Sequence, residues 1–382
     1  LPTDPAAELP VDADGEDNNG NGLIDDLIGW NFIADNQTPW DDHGHGTHVA
    51  GIIAAHSNNS IGISGIADNA RLMVLKALDA SGHGNGSQIA KAIRYAGDKG
   101  ARIIHLGLGG QPPGAAERQA VRYALQRETL VIAAAGNQAS GDAESGYESM
   151  ADVLIVGSLA PNGQRATFSN WGPYLDVLAP GVDILSLRAR GSDFLAVSGL
   201  AGYQPGMAIV AKHYYRASGN SFAAPFVTGL AALALGHSPW MEPAQVQRLL
   251  LQSAIDLGPE GIDQNHGYGA LDAAAALDRN PDHYIESRLV SAQLEQDSSI
   301  SISGFVGADR FARAWLEYGV GDEPERWLAL GTALSPSSIQ QTLLQLDPKT
   351  VPGGLITLRL NVQHQDGAQR SSRLQLQLPE QP

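Results

Sequence analysis

Residues 41 to 51 read DDHGHGTHVAG and place three histidines within six positions, with a glycine on each side of the middle one. Histidine is the side chain whose ordinary pKa lies nearest neutral pH, so one aimed into a cleft is a candidate general base. His45 falls at the start of an apolar run, HGTHVAGIIAA, that reads as a buried helix; His48 lies one turn further in and points toward the core, and His43 belongs to the preceding loop. A second stretch, ASGNSFAAPFVTGLAALAL (217 to 235), sets Ser221 behind a Gly-Asn pair at the opening of a helix that is apolar on every face, with Pro225 expected in its first turn. A hydroxyl there is aimed outward by the sharp turn, and the helix N-terminus offers backbone N–H groups to a developing anion. The third stretch, VIAAAGNQ (131 to 138), is a buried strand ending in Ala135, Gly136 and Asn137. An amide at the C-terminal edge of a parallel sheet is placed to donate to a ligand. Singly, each has a plain reading: a packing histidine, a serine N-cap, a turn asparagine. Zinc binding by His43, His45 and His48 is rejected, because no helical Glu and His in HExxH spacing accompanies them.

The order His45, Asn137, Ser221, with each motif several residues long, resembles the subtilisin-like serine proteases (subtilases, peptidase family S8) of the bacterial extracellular type. HGTHVAG is similar to that family's histidine block, AAAGN to its oxyanion-hole block and GNSFAAP to its serine block, with Asn220 and Phe222 where Thr and Met are commoner. The resemblance runs from about residue 17 to 277 and takes in GIADNARLMVLKALDASGHG (65 to 84), FSNWG (168 to 172), LAPG (178 to 181) and GYGALDAAAAL (267 to 277). It implies a serine endopeptidase in which Ser221 attacks the peptide carbonyl, His45 removes and returns the proton, and Asn137 with the Ser221 backbone N–H holds the oxyanion. It also implies two substrate-lining strands, one with Leu106, Gly107, Leu108 and Gly109 and one with Gly82, His83 and Gly84, against which a polypeptide pairs as an added strand. The resemblance also implies that Ala135 and Gly136 are among the substrate-binding residues. Gly107 stands where the family usually has Ser.

A triad also needs a carboxylate to fix the histidine tautomer. In the family it sits in an Asp-Ser/Thr-Gly block at the end of an apolar strand before the histidine block, and no such block occurs in these residues. The sequence therefore reads as starting just after the aspartate strand. The expected partner is the chain's own N-terminal segment or propeptide, docked as a separate fragment; a crippled truncation is the second explanation. Asp41 or Asp42 is a third, in an unfavourable geometry. In subtilisin itself loss of that aspartate costs on the order of 10⁴-fold in kcat, so such a chain is slow and not inert. The rival readings are a catalytically impaired pseudoprotease that binds peptides, a nicked enzyme awaiting its aspartate segment, and an adhesive protein working through its C-terminal domain.

These motifs require a scaffold. ARLMVLKAL (70 to 78), ARIIHLGL (101 to 108), TLVIAAAG (129 to 136), VLIVGSLA (153 to 160) and LDVLAPG (175 to 181) are short apolar runs without polar alternation, as strands covered on both faces should be. Residues 87 to 100 and 114 to 128 between them read as helices. The alternation predicts an α/β fold, a mainly parallel sheet flanked by helices on both faces, over residues 1 to 280. After Asn280-Pro281, segments such as SSISISGFV (298 to 306), RAWLEYGVG (313 to 321), GLITLRLNVQ (354 to 363) and SSRLQLQLP (371 to 379) alternate apolar with polar. They predict a small all-β sandwich of fibronectin III or Ig-like type over residues 281 to 382, with Trp315, Tyr318 and Trp327 expected in its core; the alternative for these aromatics is a sugar- or polymer-binding surface.

The loop DADGEDNNGNGLIDD (12 to 26) offers Asp17, Asn19, Asn21 and Asp25 at positions one, three, five and nine of an EF-hand-like pattern, with Gly22 at the turn and Ile28 where the final Glu would stand. It predicts calcium, with Asp26, Asp12 or Asp14 completing the shell; the alternative is a solvated acidic turn. No organic cofactor is expected. With 24 Lys and Arg against 41 Asp and Glu, the net charge of -17 argues against nucleic acid or anionic membranes as partners. No apolar run is long enough to span a membrane. The absence of cysteine excludes disulfides and thiol catalysis, and with the acidic balance it suits a secreted, extracellular protein.

Overall fold

In the computed structural model of the chain the apolar runs condense into short strands. They are β2 (Val74–Lys76), β3 (Ile103–Leu106), β4 (Leu130–Ala134), β5 (Leu154–Leu159) and β6 (Val177–Pro180). The missing polar alternation is matched by burial, since every residue of β4 and all but the last of β5 are buried. Strands β3, β4, β5 and β6 form one sheet in chain order, and the β4–β5 and β5–β6 pairings are parallel. A further short strand, β1 (Gly29–Asn31), pairs in parallel with β2. Gly29 has φ +131°, and a Cβ there would overlap the Val74 carbonyl, so the close pairing requires glycine. The structure describes residues 16–17, 20–108, 112–141, 146–147, 150, 152–190, 209–296 and 298–379; Asp12, Asp14, Asn19 and Gly109 lie outside them.

The chain divides into two compact units: Leu1–His105, Pro113–Val131 and Asp183–Ser218 make the first, and Leu106–Pro112, Ile132–Val182 and Gly219–Pro382 the second. The first unit holds α1 (His45–Ala54), α2 (Gly86–Asp98) and α3 (Ala115–Gln126). Helix α2 starts at a capping box in which the Asn85 side chain accepts from the Gln88 N–H and Gln88 accepts from the Asn85 N–H. The same unit carries a small antiparallel sheet in the order β7 (Ile184–Leu187), β9 (Tyr214–Ala217), β8 (Ile209–Val210). Sequence periodicity gave no sign of it, because strands of two to four residues are too short to display a period.

The second unit holds α4 (Asn220–His237), α5 (Pro243–Gln252) and α6 (Ala273–Asp278). Pro225 is the sixth residue of α4 and lies in its second turn rather than the first, where it leaves the Ser221 carbonyl without its i+4 N–H donor. Beyond α6 the described strands pair antiparallel, with one 3-10 turn at Pro348–Thr350. One sheet runs β10 (Ile285–Leu294), β11 (Ile300–Ala308), β14 (Ser337–Leu346); the other runs β13 (Leu328–Leu334), β12 (Phe311–Val320), β15 (Gly354–His364), β16 (Gln369–Leu378). Ile302 and Val306 from the first sheet and Leu316, Ile356, Leu358, Leu360 and Val362 from the second share one buried cluster. The alternating segments seen in the sequence correspond to β11, β12, β15 and β16. Strands β10 and β14 are less legible because bulges break their register. Among the described residues no helix is long and apolar enough to cross a membrane.

Candidate active site

Ser221 occupies the first turn of α4, behind Gly219, whose φ of +152° and ψ of 157° are open in practice only to glycine. The Gly219 N–H donates to the Gly181 carbonyl (2.8 Å), which ties the LAPG stretch to the serine turn. Asn220, fully buried, makes two bonds to the end of the β4 strand. Its backbone N–H donates to Asn137 Oδ1 (2.9 Å), and its side-chain amide donates to the Gly136 carbonyl. That carbonyl also accepts from the Asn170 N–H (3.0 Å), while Asn170 Oδ1 accepts from the Gln138 and Ser140 N–H groups (2.9 and 3.1 Å). With Oδ1 of Asn137 turned to Asn220, its Nδ2 is the end of the amide left for an external acceptor. A Cβ added to Gly219 would stand 3.4 Å from that Nδ2. The Ser221 hydroxyl donates to the Gly107 carbonyl at 3.4 Å. Ser221, Asn137, Gly136 and Gly107 are thus brought together within the second unit; Ala135, buried beneath, donates its N–H to Val156 (2.9 Å).

His45 belongs to the first unit, at the first position of α1 behind Gly44 (φ +100°). The helix start is held by Asp41. Its Oδ1 accepts from the His43 and Gly44 N–H groups (3.0 and 2.7 Å), and its Oδ2 accepts from the Thr47 N–H and hydroxyl (2.7 and 2.6 Å). Asp42 pairs with Lys76. The two carboxylates adjacent in sequence to His45 are therefore engaged with the backbone and with a lysine. Burial pushes the His45 pKa down to about 4, helped by the nearby His43 and His48 rings and opposed by Asp41. His48 is fully buried, with Nε2 3.2 and 3.1 Å from the Ile184 and Tyr215 carbonyls, and burial lowers its pKa to about 4 as well. The His43 ring lies against Gly82, where a Cβ would fall 3.2 Å from Nε2. Gly82 (φ +77°), exposed His83 and Gly84 form a turn tied to Asp79, which accepts from the Ser81 and His83 N–H groups (2.8 and 3.0 Å).

The model of the subtilase family, Peptidase_S8, matches residues 10–269, most of the chain. The chain belongs to the subtilase family. It is 38% identical over 248 residues to an alkaline protease of Alkalihalobacillus alcalophilus, covering 65% of this chain and 58% of that protein. To subtilisin Savinase of Lederbergia lenta it is 37% identical over 248 residues, covering 65% and 82%. A solved lanthipeptide protease superposes with a TM-score of 0.55 at 26% identity, covering 66% of this chain and 80% of that one. The chain thus spans little more than half the length of the alkaline protease it matches.

Two residues of this subtilase that sequence reasoning did not assign to the site position it: Asn220 and Asn170. The signals were available, Asn220 as a departure from the commoner threonine and Asn170 within FSNWG, but their hydrogen bonds are long-range and become visible only when the turns meet. In the acidic loop, Asp17 accepts from the Asn21 and Gly22 N–H groups (3.2 and 2.6 Å), and Asn21 Oδ1 accepts from the Leu23 N–H (2.8 Å). Asp25 turns the chain with φ +54°. Asp26 Oδ2 accepts from Lys99 Nζ (2.9 Å), the Tyr95 hydroxyl (2.7 Å) and Asn21 Nδ2 (2.6 Å). A cavity of about 300 Å³ elsewhere in the second unit is lined by Gln252, Tyr268, Tyr284, Glu286 and Arg288, and by none of the site residues above.

Proposed function

We propose that this chain is a serine endopeptidase that cleaves polypeptides through an acyl-enzyme, with Ser221 as nucleophile and His45 as general base. The observation that carries the reading is the Asn220 clamp, which fixes the Asn137 amide by its oxygen and leaves Nδ2 as a donor beside the helix turn that bears Ser221. As Ser221 Oγ bonds to the scissile carbon, its proton passes to His45, and the carbonyl oxygen becomes an oxyanion that accepts from Asn137 Nδ2 and the Ser221 N–H. One preorganised donor of this kind lowers the barrier by roughly 3 to 4 kcal/mol. Collapse breaks the C–N bond with His45 returning the proton to the leaving amine, and water then repeats the sequence to release the acid. The family resemblance assigns peptide contacts to Leu106, Gly107, Leu108 and Gly109, to Gly82, His83 and Gly84, and to Ala135 and Gly136.

A second reading, a peptide-binding subtilase with little turnover, is favoured by the engagement of Asp41 with the start of α1 and of Asp42 with Lys76. A fluorophosphonate probe separates the two when applied to the chain alone and with an aspartate-bearing strand peptide added. Rapid Ser221 labelling of the chain alone supports the peptidase, and labelling only with the peptide supports complementation by an N-terminal segment. No labelling in either sample overturns the peptidase reading. Calcium at Asp17, Asn19, Asn21 and Asp25 is proposed as a stabilising ion, checked by a rise in melting temperature on calcium addition that Asp17→Asn removes. Extracellular action is proposed from the cysteine-free, acidic composition, and is tested by locating the protein in culture fractions.

A further inference from the structure

Among the described residues, His283, His364 and Asp366 form a group whose candidate ligand atoms all lie within 4.8 Å of one another. They come from two places in the second unit. His283 is in the connection between α6 and β10, and His364 and Asp366 stand at the turn joining β15 to β16. The His283 and His364 rings lie 4.7 Å apart, centroid to centroid, and both direct a nitrogen at the same carboxylate. His283 Nε2 is 3.1 Å from Asp366 Oδ2, and His364 Nδ1 is 2.8 Å from Asp366 Oδ1. On its other side His364 Nε2 faces Asp309 at 3.3 Å, and Asp309 is itself oriented by the Tyr284 N–H (2.9 Å). The His364 side chain is completely buried, while His283 and Asp366 retain 30% and 40% exposure and leave the group open to solvent on one side.

In its neutral form His364 has one tautomer that fits its hydrogen bonds. Nε2 carries the proton toward Asp309, and Nδ1 accepts from the Asp366 N–H (3.1 Å). An Asp366 carboxylate oxygen also lies 2.8 Å from Nδ1, and that oxygen accepts from the Ala368 N–H. That contact is satisfied either by a proton on Nδ1, which gives an ion pair, or by a metal ion that takes both atoms. Donors around a tetrahedral zinc ion, with bonds of 2.0 to 2.2 Å, stand about 3.3 Å apart; the two nitrogen–oxygen separations here are 3.1 and 2.8 Å, and all candidate atoms lie within 4.8 Å. The histidine that offers Nδ1 while donating Nε2–H to a carboxylate has the outer arrangement of metal-bound imidazoles. Two imidazoles and one carboxylate select a first-row transition ion over calcium or magnesium.

We propose that His283 Nε2, His364 Nδ1 and an Asp366 oxygen bind a divalent first-row transition ion of the zinc class, with Asp309 orienting His364. The ion replaces the Asp366 N–H contact to Nδ1 and keeps one coordination position for water. It staples the α6–β10 connection to the β15–β16 turn and stabilises the C-terminal sheets. The test uses the full chain, stripped with chelator and titrated with cobalt(II). One equivalent should give the visible absorption of a low-coordinate N/O site, displaced by zinc, and zinc should raise the melting temperature. His283→Gln and Asp366→Asn, both at partly exposed side chains, should each weaken cobalt binding at least tenfold and abolish the zinc-dependent rise, while their metal-free circular dichroism matches the parent. Absence of a cobalt spectrum at millimolar metal, or a spectrum unchanged in both variants, overturns the proposal; the latter result would place the metal on other histidines.

Discussion

Asn137 and Asn220 carry the sharpest consequences of single side chains. Asn137→Ala removes the Nδ2 donor and is expected to slow fluorophosphonate labelling of Ser221 by 10²- to 10³-fold with little change in melting temperature. Asn220→Ala deletes the side-chain bond to the Gly136 carbonyl and loosens the same donor indirectly, so a smaller loss of about tenfold is expected. His45 gives a pH prediction. A general base acts only when unprotonated, and its pKa of about 4 places the fall in labelling rate near pH 4, with a plateau above pH 5. Adding an aspartate-bearing strand should move that midpoint upward, because a facing carboxylate favours the imidazolium. A midpoint near 6.5 in the chain alone contradicts the burial of the ring. His48 bears on stability: the unfolded ring takes up a proton near pH 6.5 and the folded ring resists until about pH 4, so in that window the unfolded state binds more protons. The contribution is whole above pH 6.5 and is lost as pH falls, on the order of 3 kcal/mol by pH 4. Urea midpoints measured from pH 7 to 4.5 should decline accordingly.

Helix α1 and strand β7 approach so closely that Gly51 has no room for a side chain. An added Cβ would overlap the Ser186 hydroxyl and press Leu187 Cγ at 2.8 Å, while Ser186 donates to the His48 carbonyl (2.7 Å). Gly51→Ala would gain helix propensity in isolation, yet here the overpacking should destabilise by about 1 to 3 kcal/mol, read as a lower urea midpoint. Should Gly51→Ala instead raise the midpoint, helix propensity outweighs the contact. At the same scale, α4 is buried nearly all round, so Ser221 and Asn220 are placed by a rigid element anchored in the core. Helix α2 shows the opposite case, a helix read from the apolar spacing of residues 87 to 100 before any tertiary contact is considered; its start two residues earlier, at the Asn85 capping box, came from the structure.

Across the whole molecule, the C-terminal sheets are joined to the subtilase portion of the second unit by buried polar contacts. Arg288 of β10 pairs with Asp176 at 3.0 Å, with side chains 14% and 1% exposed, and β16 meets the Ile262 segment through backbone bonds of 2.9 and 2.7 Å. Removing one partner of a buried pair strands the other charge, so Arg288→Ala is expected to cost about 3 to 5 kcal/mol, and one cooperative urea transition should become two if the junction is what couples the parts. The sequence by itself determined the family, the alternation of strands and helices, and the candidates His45, Asn137 and Ser221, because short motifs and hydrophobic periodicity are local properties written in consecutive residues. Tertiary structure alone decided that Asp26 answers Lys99, and that Asn170 and Asn220 hold the Gly136 turn. It also brought His283 to His364 and Asp366 across some eighty residues of chain. The reason is physical: a polar side chain has several competing partners within reach, and which one it takes depends on chain segments that only folding brings alongside.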